Sequence, residues 1–103
     1  MTDRSGFVLR VKPDRVDDYV RAHREVWPEM LAALKDAGIR NYTIFRAGDE
    51  MFGYFESDDL EAAKAHLGAQ EVSARWQDAM GELLEERVPD EGPQPLEEVF
   101  RLD

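Results

Sequence analysis

The chain has 103 residues, enough for one domain with a modest core and little surplus stability. Hydrophobic residues make up 43% of it, and 23 acidic against 13 basic residues leave a net charge of −10, which repels nucleic acid and anionic membrane alike because phosphate binding needs clustered Lys and Arg. With that charge a neutral small molecule is the easier partner, and the count of zero cysteines excludes a disulfide framework, a thiolate nucleophile and a thiolate metal site. The same absence fits a cytoplasmic protein. No apolar run approaches the roughly eighteen residues of a spanning helix, and the N-terminus lacks a basic segment followed by an apolar one, so neither a membrane span nor a signal peptide is expected.

Residues 6–11 alternate as a strand, with Phe7, Leu9 and Val11 on one face and Val8 on the other. Lys12, Pro13 and Asp14 end it at a turn or helix entry. A helical pattern then covers residues 15–37, with Val16, Tyr19, Val20, His23, Trp27, Met30, Leu31 and Leu34 at three- and four-residue steps along one side. Pro28 lacks an N–H and its ring crowds the carbonyl of Arg24, so an interruption is expected near residues 24–28. Gly38 supplies the stop.

After Gly38 the period changes from four to two. Residues 39–46 and 51–56 read as strands, joined by a turn over 47–50 that is short enough for a hairpin. Ser57, Asp58 and Asp59 offer an N-cap to a helix over 60–67, stopped at Gly68. A further helix over about 71–87 carries Val72, Trp76, Met80, Leu83 and Leu84 on its inner side. Pro89, Gly92, Pro93 and Pro95 make 89–95 a linker, and 96–102 alternates again as a last strand, with Leu96, Glu98, Phe100 and Leu102 on one face.

The order strand, helix, strand, strand, helix in two pieces, strand is the split βαββαβ plan of α+β ferredoxin-like folds, spanning residues 1–103 as one domain. Helices cover one face of such a sheet, yet both faces here carry large apolar groups: Phe52 and Tyr54 oppose Met51 and Phe55. An uncovered apolar sheet would be a sticky patch, so a homodimer packed sheet to sheet is expected, and the strand after the proline linker could pair with the partner's sheet.

Few residues can do chemistry. With two histidines and no cysteine, metal-ligand spacing is absent, as are Gly-rich phosphate loops and a Gly-x-Ser-x-Gly elbow. Ser57 and Ser73 read as helix caps or surface, and His66 as a helix-end residue favoured by the dipole. His23 stands between Tyr19 and Trp27 at spacings of four, which stacks a phenol, an imidazole and an indole on one side of a helix. On spacing alone His23 reads as a satisfied core imidazole; the interrupted helix beside it, a cost in stability, weighs toward a site. Tyr42 and Trp76 are ordinary core aromatics singly. Together with His23 they suit an uncharged hydroxylated ligand with an apolar flank, such as a sugar ring lying on an indole.

Val11, Pro13 and Asp14, then Tyr19, His23, Trp27, Pro28 and Glu29, then Gly38, Asn41, Tyr42 and Ile44, then Arg75 and Trp76, and finally Leu96, Glu98, Val99, Phe100 and Leu102 together resemble the L-rhamnose mutarotases over nearly the whole chain. The resemblance implies a dimeric ferredoxin-like α/β barrel that interconverts the α and β anomers of L-rhamnose, with the histidine as proton donor. On this chain that role falls on His23, and sugar contacts fall on Tyr19, Tyr42 and Trp76. The family often has two adjacent tryptophans, and here the second place is Gln77. Exchanging an indole for an amide removes a stacking surface and adds hydrogen-bonding groups, which opens the preference to L-fucose or a related 6-deoxy aldose.

The implied reaction is chemically modest. Anomerisation opens a hemiacetal: a proton reaches the ring oxygen while one leaves the anomeric hydroxyl, and the aldehyde recloses on its other face. No cofactor, metal or covalent intermediate is required. Two other readings share the expected architecture: a small cofactor-independent or haem-degrading oxygenase, betrayed by an absorbance change with haem or quinol, and a sugar-binding module without catalysis. Whether His23 or a carboxylate such as Glu98 is the base stays open at this level.

Overall fold

The computed structural model describes residues 2–102. Strand β1 (Asp3–Arg10), a 3-10 turn at Pro13–Arg15, helices α1 (Val16–Arg24) and α2 (Pro28–Asp36), strands β2 (Arg40–Ala47) and β3 (Glu50–Ser57), and helices α3 (Leu60–Gly68) and α4 (Glu71–Gly81) follow in that order. The strands form one antiparallel sheet ordered β1–β3–β2. Phe7 and Ile44 both stand opposite Gly53, while Val8 and Phe45 both stand opposite Phe52. Pleating therefore turns Phe7, Met51 and Phe55 into the helical side, where they are buried, and Val8, Phe52 and Phe45 to the other. Gly53 is required there: a Cβ would lie 2.0 Å from Cζ of Phe7, whose ring occupies the space of the missing side chain.

The helical pattern over 15–37 breaks where Pro28 dictates. Glu25 leaves the helix at φ −132° and ψ 49°, Trp27 is extended at φ −56° and ψ 132° as a residue before proline must be, and Pro28 opens α2. Gly38 stops α2 in a Schellman arrangement with φ +84°: its N–H donates to the Lys35 carbonyl and that of Ile39 to the Leu34 carbonyl, both at 3.0 Å. The Asp59 carboxylate caps α3 by accepting from the Ala62 N–H at 3.1 Å.

Two expected elements differ. The last helix ends at Gly81, not near residue 87. The chain turns there so that Leu84 bridges to Val11, the Lys12 N–H donates to the Leu83 carbonyl at 2.8 Å and the Glu85 N–H to the Arg10 carbonyl at 2.9 Å. Backbone groups at the end of β1 would otherwise lack partners, and a straight helix could not reach them. The segment 96–102 is not a strand in this chain. Its Leu96 N–H donates to the Gly6 carbonyl at 2.8 Å, beyond which no ladder forms among the described residues, and Leu96, Val99, Phe100 and Leu102 stay exposed.

The core has two clusters. One gathers Val11, Tyr19, Met51, Trp76 and Met80, the other Phe7, Ile39, Phe55, Ala63 and Leu67, and Leu9, Leu34, Ile44 and Val72 pack against both. Among the described residues no helix is long and apolar enough to cross a membrane.

Candidate active site

A cavity of about 360 Å³ opens between the helical side of the sheet and helices α1, α2 and α4, walled by members of both clusters. At roughly 30 Å³ per water it holds about a dozen waters, room for a hexose-sized molecule. Most of its wall is aliphatic and aromatic. Its polar groups include His23 from α1, Tyr42 from β2 and Gln77 from α4, with Trp76 beside them.

His23 is half-buried and held on three sides. Its ring stacks on Tyr19 (centroids 4.2 Å apart, planes at 29°) and meets Trp76 edge-on at 5.5 Å. Nδ1 lies 2.9 Å from the Tyr19 carbonyl. A carbonyl can only accept, so Nδ1 carries the proton and Nε2 is the bare nitrogen of the neutral ring. Burial lowers the pKa of His23 from its ordinary 6.5, an effect only partly offset by that backbone bond. The group is thus a neutral base at pH 7.

Tyr42 stacks on Phe55 (5.3 Å, 27°) and meets Phe7 edge-on at 6.0 Å. It keeps 39% of its surface accessible, yet the protein around its hydroxyl pushes its pKa up through burial, with the Tyr19 phenol adding to the shift, so the phenol stays protonated. Trp76 is buried and takes Trp27 edge-on at 5.1 Å. Trp27 is in turn covered by the Arg75 guanidinium, 5.9 Å from the ring centroid and paired with Glu29 at 3.0 Å. This chain of rings ties the break between α1 and α2 to α4.

The sequence model of the L-rhamnose mutarotase family matches residues 4–102. The chain belongs to the L-rhamnose mutarotase family. It is 36% identical to the L-rhamnose mutarotase of Oceanobacillus iheyensis over 103 residues, covering 97% of this chain and 98% of that one. It is 38% identical to that of Pectobacterium carotovorum over 104 residues, with the same coverage. The crystal structure of an L-rhamnose mutarotase from Formosa agariphila superposes with a TM-score of 0.76 at 29% identity, covering 98% of this chain and 99% of that one.

Within this member of the L-rhamnose mutarotase family, the cavity brings together His23, Tyr42, Trp76 and Gln77. Tyr19 is not in its wall. It lies buried beneath His23, offering the imidazole a stacking face and a carbonyl, and burial pushes its phenol up to about 12. Trp27 likewise backs the wall without lining it. Sequence reasoning missed Asp90, Glu91, Gly92 and Pro93, which close the cavity from outside although 89–95 reads as a linker. Ser73 holds this strap. It is neither cap nor surface but fully buried, its hydroxyl donating to the Asp90 carbonyl at 2.8 Å, while Arg87 pairs with both Asp90 at 2.6 Å and Asp78 at 2.8 Å. The one hint was a serine on the inner side of a helix.

Proposed function

We propose that the protein is an aldose mutarotase that interconverts the α and β anomers of L-rhamnose in the cytoplasm, with His23 as its acid–base group and Tyr42, Trp76 and Gln77 holding the sugar. The observation that carries this reading is the tied Nδ1 of a neutral His23 at an aromatic, sugar-sized cavity. Nε2 takes the proton of the anomeric hydroxyl as the bond from the anomeric carbon to the ring oxygen breaks. The Tyr42 phenol donates to the ring oxygen. Rotation about the bond beside the aldehyde presents its other face, the ring hydroxyl attacks and returns its proton, and the imidazolium gives its proton back to the new anomeric hydroxyl. Protons balance over the cycle. Tyr19 positions the imidazole, and the Trp76 indole offers the C–H face of the sugar an apolar wall.

Saturation-transfer proton NMR tests this directly. Exchange between the α and β anomeric signals of L-rhamnose should accelerate with the protein, and unaccelerated exchange would contradict the assignment. L-fucose run in parallel reports what Gln77 does to selectivity.

The sheet supports a ferredoxin-like dimer. The order β1–β3–β2 leaves the outer edge of β1 for a fourth strand, and the segment after the proline-rich strap reaches that edge at Gly6. Across the sheet's outer face Val8, Phe52 and Phe45 form one row, 40%, 42% and 67% exposed. A second copy laid on this face would bury the row together with Val99 and Phe100 of the tail. Light scattering should return twice the chain mass of 11.8 kDa; a monomer at micromolar concentration would overturn the dimer.

A further inference from the structure

We infer that Asn41 is a positioning residue: its left-handed bulge, pinned to Glu56 on the outer face of the sheet, aims Tyr42 into the cavity. Among the described residues Asn41 is the sole non-glycine with a positive φ, 51°. The irregularity in the sheet falls at the same place. Arg40 stands opposite Glu56 and Thr43 opposite Tyr54, so two residues of β2, Asn41 and Tyr42, stand against Phe55 alone.

The extra residue changes parity. In a regular strand positions 40 and 42 share a face. Here Arg40 points away from the core, bonded to the Asp58 carboxylate at 2.8 Å and the Thr2 hydroxyl at 2.9 Å, while Tyr42 turns inward onto Phe55 and Phe7. Without the bulge either a guanidinium would enter the cavity or Tyr42 would leave it. The left-handed backbone is costly for most L-residues and least so for glycine and asparagine. A polar anchor holds it. The Asn41 amide donates to one Glu56 carboxylate oxygen at 3.0 Å, and the Tyr54 hydroxyl donates to the other at 2.6 Å. Both oxygens are thereby engaged, and the carboxylate is fixed to its own strand. These same hydrogen bonds, that from Tyr54 foremost, hold Glu56 below the usual carboxylate range, so it accepts at neutral pH.

The activity readout rests on the mutarotase reading; a second readout does not. Asn41→Gly gives up the bond to Glu56 but keeps the backbone free to adopt φ 51°, the feature that turns Tyr42 inward, and should keep anomer exchange within about threefold. Asn41→Val favours a regular strand and should lower it about tenfold or more. In a Tyr42→Phe background the same Asn41→Val change should cost little, because Asn41 acts through the Tyr42 hydroxyl. Independently, NMR should show the Tyr42 ring protons shifted by Phe55 and Phe7 in the native protein and in Asn41→Gly, and moved toward free-tyrosine positions in Asn41→Val. Should Asn41→Val fail to fold, Asn41→Ala carries the same comparison. Equal losses in both backgrounds, or native Tyr42 shifts in the Val or Ala variant, would overturn the proposal. If the native protein does not accelerate exchange, the functional reading falls while the ring shifts still decide the bulge.

Discussion

The two faces of the sheet are built from alternate residues of the same strands, yet they meet opposite fates. On the helical side Phe7 fills the space over Gly53 to 1% exposure, Met51 and Phe55 close around it, and the packing leaves the cavity at His23 and Tyr42. On the other side Val8, Phe52 and Phe45 form an apolar row that the described residues leave exposed. Hydrophobic patterning alone does not separate a core from an interface; what separates them is which face the connecting helices can reach. The inner face stabilises the chain, and the outer face is the surface proposed above for a second copy.

Substitutions can break this contrast one side at a time. The largest effect belongs to the cavity. If His23 is the base proposed above, His23→Asn should lower anomer exchange by about a hundred- to ten-thousandfold while the protein stays folded by circular dichroism. Phe7→Ala should cost about 3–5 kcal/mol in denaturant unfolding, the range for emptying a filled core position. Its outer counterpart Phe52→Asp should leave secondary structure intact by circular dichroism and convert a dimer to monomer in light scattering. A dimer that survives it would place the interface elsewhere. The smallest effect is one of selectivity: Gln77→Trp should raise exchange on L-rhamnose relative to L-fucose by about tenfold or less, the reach of one stacking or methylene-sized contact.

Much of this was legible in the chain. Pro28 set the break between the helices, Gly38 the stop, and the alternation through Phe7, Val8 and Leu9 the two faces, because each is a local rule of backbone or pleat. Spacing placed His23 beside Tyr19, and the turn of α4 brought Trp76 and Gln77 to the same cavity. The bulge was not legible. Residues 39–46 read as a regular strand, and a single extra residue alters no composition; Asn41, a residue that tolerates left-handed backbone, was the only sign. Nor could linker composition reveal that 90–93 closes the cavity, since that depends on a buried serine in the first turn of the fold's last helix and on Arg87 bridging two carboxylates. The tail alternates as a strand should, but a strand exists only with a ladder partner, and among the described residues the tail has one backbone bond to the sheet.

The measurement closest to the centre of the account is a paired titration: the rate of L-rhamnose anomer exchange and the nitrogen-15 shifts of His23, followed together from pH 8 to pH 4. Because burial lowers the His23 pKa below 6.5, the neutral base predominates at pH 7, and both readings should be flat there and change together at one midpoint below 6.5, the rate falling as Nε2 takes a proton. The same sign holds for stability, where charging His23 in the folded state carries a penalty that grows as pH falls from 6.5 through the folded value and that His23→Asn should remove. The shifts should also show Nδ1 protonated in the neutral form. A rate that ignores the His23 midpoint, or a neutral form protonated on Nε2, would contradict His23 as the base.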